Sequence, residues 1–600
     1  MSFIRRVSEA RLFFLLTLAI MSAHAQGSFG DLRNLIDRGS KTHTDWVPPR
    51  SLPAWNLRRI ELKNQILAAS GLLPMPARTP LQAKRFGRID RAGYSVETVT
   101  LETLPGLRIA GNLYLPRPLA PNARIPAILV AHGHWKHGRI HHADDYSVPA
   151  LCVNLAAQGY AVFAWDMVGY NDTKALPHEF GNSEEEMLWS FSPLGIQLWN
   201  AIRAIDFMQS LPFVNPSRIG MTGASGGGTQ TFLTAAVDER ILAAAPVDMV
   251  SAGFQGDDAC EIAPSLRLTT NNVEITSMIA PRPMMLVSST RDWTRNTPRE
   301  EFPLVQAVYK LFGRTRRLRQ AQIDAPHNYN RASREAVYGF FAHVLKGSRA
   351  PAETPIPEKV AVDLDLNLLL AGDAMPVSTK QDKKSVLASW REQTGGVASD
   401  ASDEVWRQAF FSASGIRWPE AGAVHMLQAG ANTVLTRACC GDRVPFRQFP
   451  GAGSSVIEIH SNGMNEGLKD WPKAANRSKS KPRLLIDPYQ VGLAFAQRPV
   501  FRGDHLTFFM SDDANRVQDI LTAIAFIAHE EKRSSVELEC FGGEVIPLCH
   551  IAAALSRVPV SLTTDGSAWK PVIIPGFARL GGVEAIARRR QPAPIAIPTN

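Results

Sequence analysis

The spacing of apolar and polar positions changes period several times along the chain, and each change marks an element. Residues 26–90 mix both kinds of position, with one helical stretch around Leu57–Ala69. Tyr94–Leu101 and Leu107–Leu115 alternate, as half-buried strands do. Ala127–Val130, Ala161–Trp165, Ile241–Pro246 and Met284–Val287 are short continuous apolar runs, and Arg218–Thr222 leads into a Gly-rich turn. Helical periods fall between them at Ala150–Gln158, Leu194–Met208 and Glu301–Leu311. Continuous apolar strands alternating with helices predict a mostly parallel sheet covered on both faces. The alternating strands before them predict an antiparallel edge.

Pro351, Pro355 and Pro357 open a stretch, 349–385, that reads as a linker and ends in the charged run Lys380–Lys384. Beyond it the pattern repeats in weakened form. Arg483–Asp487 is an apolar strand ending in Asp, as Ala161–Asp166 is, and the amphipathic helix Val517–His529 answers Leu198–Met208. A Gly-rich turn, Phe541-Gly542-Gly543-Glu544-Val545, follows without Ser or Cys. The division expected is 26–348 as a first α/β domain with an N-terminal extension, and 386–600 as a degenerate second α/β unit.

Residues 1–25 read as an export signal. Arg5, Arg6 and Arg11 precede Leu12–Met21, and Ala23-His24-Ala25 precedes Gln26 as a small-x-small cleavage pattern. The apolar stretch, about ten residues, is too short to span a bilayer as a helix. The expectation is a periplasmic or secreted protein with no membrane span after cleavage.

Composition narrows the class. Of 600 residues, 45% are hydrophobic and 20% charged, which excludes disordered and fibrous chains. The net charge of +9 comes from 65 Lys+Arg scattered over the chain, so no nucleic-acid partner is expected. The six cysteines show neither CxxC nor metal-ligand spacing, and at most one or two bridges are expected.

The strongest chemical signal is Gly223-Ala224-Ser225-Gly226-Gly227, between a strand and a helix. That context is a nucleophile elbow: a sharp turn that strains the Ser backbone and exposes its Oγ at a helix N-terminus. Flanking glycines are required because a Cβ would collide with the neighbouring strand and helix. A serine needs a base and the base needs an acid. Asp292 follows the Met284–Thr290 strand and His327 follows Gln322–Ile323, which gives the order Ser225, Asp292, His327 of an α/β-hydrolase. Asp248 and Asp324 are alternative acids. Oxyanion donors are expected at the backbone amides of Gly226 and of His134, in the His132-Gly133-His134-Trp135 loop. That segment carries His132, His134, His137, His141 and His142, so a metal site is the rival reading. The expectation here is no metal, because no carboxylate cluster completes a shell. Asp166 is expected to brace loops. Trp135, Trp189 and Trp293 are candidates to line a substrate pocket.

Pro126–Trp135, Asp166–Tyr170, Gly223–Thr229 and Ala325–Asn330 resemble bacterial acetylxylan esterase-like α/β-hydrolases, related to carbohydrate esterase family 7 and more distantly to dienelactone hydrolases. The resemblance covers about residues 90–348. It implies deacetylation of acetylated carbohydrate without a cofactor, Ser225 as nucleophile, Asp292 and His327 as its partners, and the amides of His134 and Gly226 as the oxyanion hole. Gly226 and His134 stand where family 7 members carry Gln and Tyr. Both positions act through backbone, so the departure touches substrate choice rather than chemistry. The alternatives are a serine peptidase or general esterase of the same fold, and a non-catalytic carbohydrate-binding protein.

Overall fold

The computed structural model describes residues 29–589, apart from 36–37, 376–381, 400, 430–431, 452, 470–480 and 499–503. The export signal expected over 1–25 lies outside the described residues.

The first sheet has nine strands: β1 (Lys84–Arg91), β2 (Tyr94–Leu104), β3 (Leu107–Pro116), β4 (Ile125–Ala131), β5 (Ala161–Trp165), β6 (Val214–Ala224), β7 (Ile241–Val247), β8 (Met284–Arg291) and β9 (Leu318–Pro326). Their order is β1-β2-β3-β5-β4-β6-β7-β8-β9. Pairing is antiparallel from β1 to β5 and parallel from β5 to β9. This is the α/β-hydrolase fold with one extra strand in front. Every residue of β5 is buried, as expected of a strand with helices over both faces. One face packs on Trp199, Ile202 and Phe232. The other packs on Val337, Phe340 and Phe341.

Two elements depart from the sequence reading. Strand β1 shows no apolar period because it is an outer strand with mostly exposed side chains. It is held on β2 partly by Arg85, whose Nε lies 2.7 Å from Glu97 Oε2. Strand β3 alternates in sequence but is buried at every position. The stretch read as a linker explains this. It is packed along the sheet, and Leu369 O accepts hydrogen bonds from Asn112 Nδ2 at 2.8 Å and Arg139 Nη2 at 2.9 Å. Polar residues on the outer face of β3 thus meet backbone rather than water.

The second sheet comprises β10 (Val424–Ala429), β11 (Asn432–Arg437), β12 (Val444–Phe449), β13 (Val456–His460), β14 (Arg483–Ile486), β15 (Val536–Phe541) and β16 (Val560–Thr564). Its order is β10-β11-β12-β14-β13-β15-β16. The run β12-β14-β13-β15 repeats β3-β5-β4-β6, with the same antiparallel, parallel, parallel pairing. Strand β15 therefore corresponds to β6. The residue after it is Gly542 (φ +98°), where Ser225 follows β6, so the second elbow bears no hydroxyl. The two units are joined through buried polar contacts. Arg33 Nη1 lies 2.8 Å from Asp519 Oδ1, and the buried Arg579 donates to Leu73 O at 2.5 Å and Pro74 O at 2.7 Å.

Candidate active site

Ser225 follows β6 and caps the helix Gly226–Val237, with φ +57° and ψ −127°. A non-glycine residue rarely holds this conformation, which costs about 1–3 kcal/mol and is kept only where the surroundings impose it. Here they do. A Cβ on Gly223 would stand 2.3 Å from Ala131 O, and one on Gly227 would stand 2.2 Å from the same oxygen. Only glycine lets the elbow close on the end of β4. Ser225 is 8% exposed and opens the first turn of the helix, where free N–H groups favour negative charge.

The predicted acid and base also meet. Asp292, beyond β8, places Oδ1 3.3 Å from His327 Nδ1, beyond β9. Thr294 Oγ1 donates to the other carboxylate oxygen at 2.7 Å, which fixes the acid's orientation. The His327 ring packs against two tryptophans. Trp135 stacks on it with centroids 5.6 Å apart and planes 7° apart, and Trp293 approaches to 4.3 Å. A Cβ on Gly133 would touch both Trp135 and Ser225 Cβ, so Ser225 lies beside the indole that stacks on His327. No hydrogen bond joins His327 Nε2 to Ser225 Oγ in this structure. Long or unaligned catalytic contacts are common before substrate binds.

Asp248, the alternative acid, sits beneath this pair. It ends β7 with φ +47°. Its Oδ2 accepts from Ser289 Oγ at 2.8 Å and from the amide of Asn328, next to His327, at 3.1 Å. Its carboxylate thus holds the loop that carries the histidine. Burial first, and then the neighbouring Asp292 charge, push the Asp248 carboxyl up to about 7. The other alternative, Asp324, is an exposed partner of Thr290 and Arg291.

Asp166 braces loops, as expected. It is buried in an ion pair with Arg139 and accepts from Asn171 Nδ2 at 2.8 Å. His132 is a structural histidine: its Nδ1 donates to Gly133 O at 2.8 Å and its Nε2 accepts from Met167 N at 2.9 Å. Burial pushes it down to about 3, so it stays neutral. Trp189 lies elsewhere. Its carbonyl accepts from Trp390 Nε1 at 3.1 Å and Arg391 lies over its ring, so it packs against the helix Lys383–Ser399 instead of lining the site. A tryptophan near a loop end in sequence does not reveal which side of the loop it covers.

The sequence reading finds no carboxylate cluster to complete a catalytic metal shell at the loop histidines, and the structure sets a carboxylate beside His134. His134 meets His178, Asp258 and Cys260, residues scattered far along the chain. Its Nε2 lies 3.1 Å from Cys260 Sγ and 3.5 Å from Asp258 Oδ1. Burial opposes charge on His134, but Cys260 and Asp258 outweigh it and push the imidazole up to about 12; His178 is pushed up to about 10 against its own burial, chiefly by Asp258. The run Asp257-Asp258-Ala259-Cys260-Glu261 is rich in ligand types, and only the fold shows that it lies beside His134.

The acetyl xylan esterase (AXE1) family profile matches residues 82–254. YtaP of Bacillus subtilis (strain 168), named as a hydrolase, is 31% identical over 261 residues, covering 40% of this chain and 83% of that protein. Among solved structures, Methylesterase BT1017 is similar at a TM-score of 0.45 and 26% identity, over 59% of this chain and 78% of its own. A carbohydrate esterase family 15 glucuronoyl esterase from Caldicellulosiruptor kristjansonii is similar at a TM-score of 0.36 and 18% identity, over 54% of this chain and 96% of its own.

Proposed function

This chain belongs to the acetyl xylan esterase family of carboxylic ester hydrolases, and from that premise we propose that it is an exported enzyme that removes acyl groups, chiefly acetyl, from polysaccharide or oligosaccharide through an acyl-enzyme on Ser225. The observation that carries this reading is the strained elbow of Ser225 beside the indole that stacks on His327 of the Asp292–His327 pair. His327 takes the hydroxyl proton as Ser225 Oγ attacks the acyl carbon. The amide of Gly226 and the amide of His134 hold the oxyanion. His327 then protonates the departing sugar oxygen, and water enters through the same base to release the acid. Asp292 keeps the imidazole in the tautomer that presents a free Nε2 to the hydroxyl. Trp135 and Trp293 flank the base and offer aromatic faces to a sugar ring.

Work outside the cytoplasm fits the two disulfides, Cys439–Cys440 and Cys540–Cys549. The second unit, with Gly542 at its elbow, has no nucleophile there and serves as a structural or carbohydrate-binding partner. The test is a panel of aryl acetate, aryl butyrate, acetylated xylan and prolyl peptide, run on the wild type and Ser225→Ala. Deacetylation lost in the variant supports the reading; turnover of peptide alone replaces it with a peptidase.

A further inference from the structure

His178 Nδ1 lies 2.5 Å from Val168 O, which fixes the ring and aims Nε2 at its neighbours. That nitrogen faces Asp258 Oδ1 at 3.0 Å and His134 Nε2 at 3.3 Å. The ring of His134 is turned the same way, with Nδ1 toward the buried carboxylate of Glu261 at 3.9 Å and Nε2 toward Cys260 Sγ at 3.1 Å. Two imidazole nitrogens, a carboxylate oxygen and a sulfur thus converge, all within 4.8 Å of one another. All four are side chains of metal-ligand type, and they present one ligand atom each to a common point.

We propose that His134, His178, Asp258 and Cys260 form a binding site for a divalent transition metal of the zinc class. The spacing fits. Tetrahedral zinc with ordinary bond lengths sets ligand atoms about 3.3 Å apart for two nitrogens and about 3.5 Å for nitrogen and sulfur. The three separations from His134 Nε2 and the one between His178 Nε2 and Asp258 Oδ1 run from 3.0 to 3.5 Å, and all six lie within 4.8 Å. The donor set excludes magnesium and calcium, which take oxygen ligands, and favours a borderline-soft ion. Outer contacts complete the pattern: each histidine has an acceptor beside its other ring nitrogen, Val168 O for His178 and the Glu261 carboxylate for His134. Cys260 is buried while the side chains of His134 and Asp258 are about a quarter and a third exposed, which leaves a path for entry.

With four protein ligands the metal is a structural clasp rather than a site for substrate. What it clasps matters. The His134 ring lies against Gly226, where a Cβ would come within 2.7 Å of Cε1. The metal would tie the loop that carries one oxyanion amide to the 258–261 segment. This consequence, unlike the site itself, rests on the esterase reading above.

The experiment uses the full chain, free of affinity tags, stripped with chelator and reloaded with Zn(II) or Co(II). One equivalent per chain is expected. The cobalt form should show a thiolate-to-metal charge-transfer band and tetrahedral visible bands, and both should disappear in Cys260→Ser and in His178→Ala. Glu261→Gln should weaken binding by about tenfold or more. Metal removal should lower kcat on aryl acetate by about tenfold or more with little change in KM, since one oxyanion donor is loosened. A folded wild-type chain that shows no thiolate–cobalt band overturns the site, whatever the variants do. Stoichiometric metal in a chain without esterase activity upholds the site and refutes the esterase reading; activity in a chain that takes no metal does the reverse.

Discussion

Asp248→Asn isolates the second buried carboxyl under the Asp292–His327 pair. Burial and the Asp292 charge lift the Asp248 carboxyl from 3.8 to about 7 in the folded chain. A lift of that size corresponds to about 4 kcal/mol between the two protonation states. Because the folded value is raised, folding favours the protonated acid. The stabilising linkage is fully present below about pH 4, where the unfolded chain also holds the proton. It falls as pH rises toward 7 and is gone above it. The asparagine variant has no such proton, and its amide can still accept from Asn328 N and Ser289 Oγ through its oxygen. The assay is thermal or denaturant unfolding of both proteins from pH 4 to pH 8. Wild type should be the more stable at pH 4 relative to its standing at pH 8, with the advantage over Asp248→Asn shrinking by about 4 kcal/mol across that window. A difference that stays constant with pH would refute the reasoning, because it would mean that the carboxyl ionises as readily folded as unfolded.

Four further substitutions probe the neighbours. Asp292→Asn should lower kcat by about 10⁴ without unfolding the chain, since an amide opposite Nδ1 favours the wrong tautomer; steady-state kinetics on aryl acetate checks it, and unchanged turnover would transfer the acid role to Asp248. Gly227→Ala forces a Cβ to within 2.2 Å of Ala131 O and should cost about 3 kcal/mol or more in urea unfolding, with loss of activity. Trp189→Ala should lower Tm through lost packing on the Trp390 helix yet leave KM for acetylated xylo-oligosaccharide unchanged, whereas Trp293→Ala should alter kinetics through His327.

Much of the first sheet was legible because burial on both faces writes itself as continuous apolar runs: β4, β5 and β7 stand within two residues of their expected ends. The elbow was legible because a strained serine at a crowded crossing requires glycines at fixed offsets, and Gly223 and Gly227 meet the same carbonyl oxygen. The order of strands carried Asp292 and His327 with it. The unread parts share a cause. Strand β1 is an exposed outer strand whose pairing depends on backbone and charge, so no period marks it. The 349–375 stretch looked free because prolines and polar residues also suit a strap whose partners are distant carbonyls and amides. Trp189 and Trp293 look alike in sequence, and only the turn of each loop sends one to His327 and the other to Trp390. His134, His178 and the Asp258–Cys260 pair lie on three separate loops, and no spacing rule connects them.

The account stands on one activated hydroxyl, and covalent labelling reads it directly. A fluorophosphonate probe on the intact wild-type chain, followed by peptide mass mapping, should give a single adduct on Ser225, absent from Ser225→Ala and slowed in Asp292→Asn. A folded wild-type chain that stays unlabelled, or an adduct on any other residue, would contradict it.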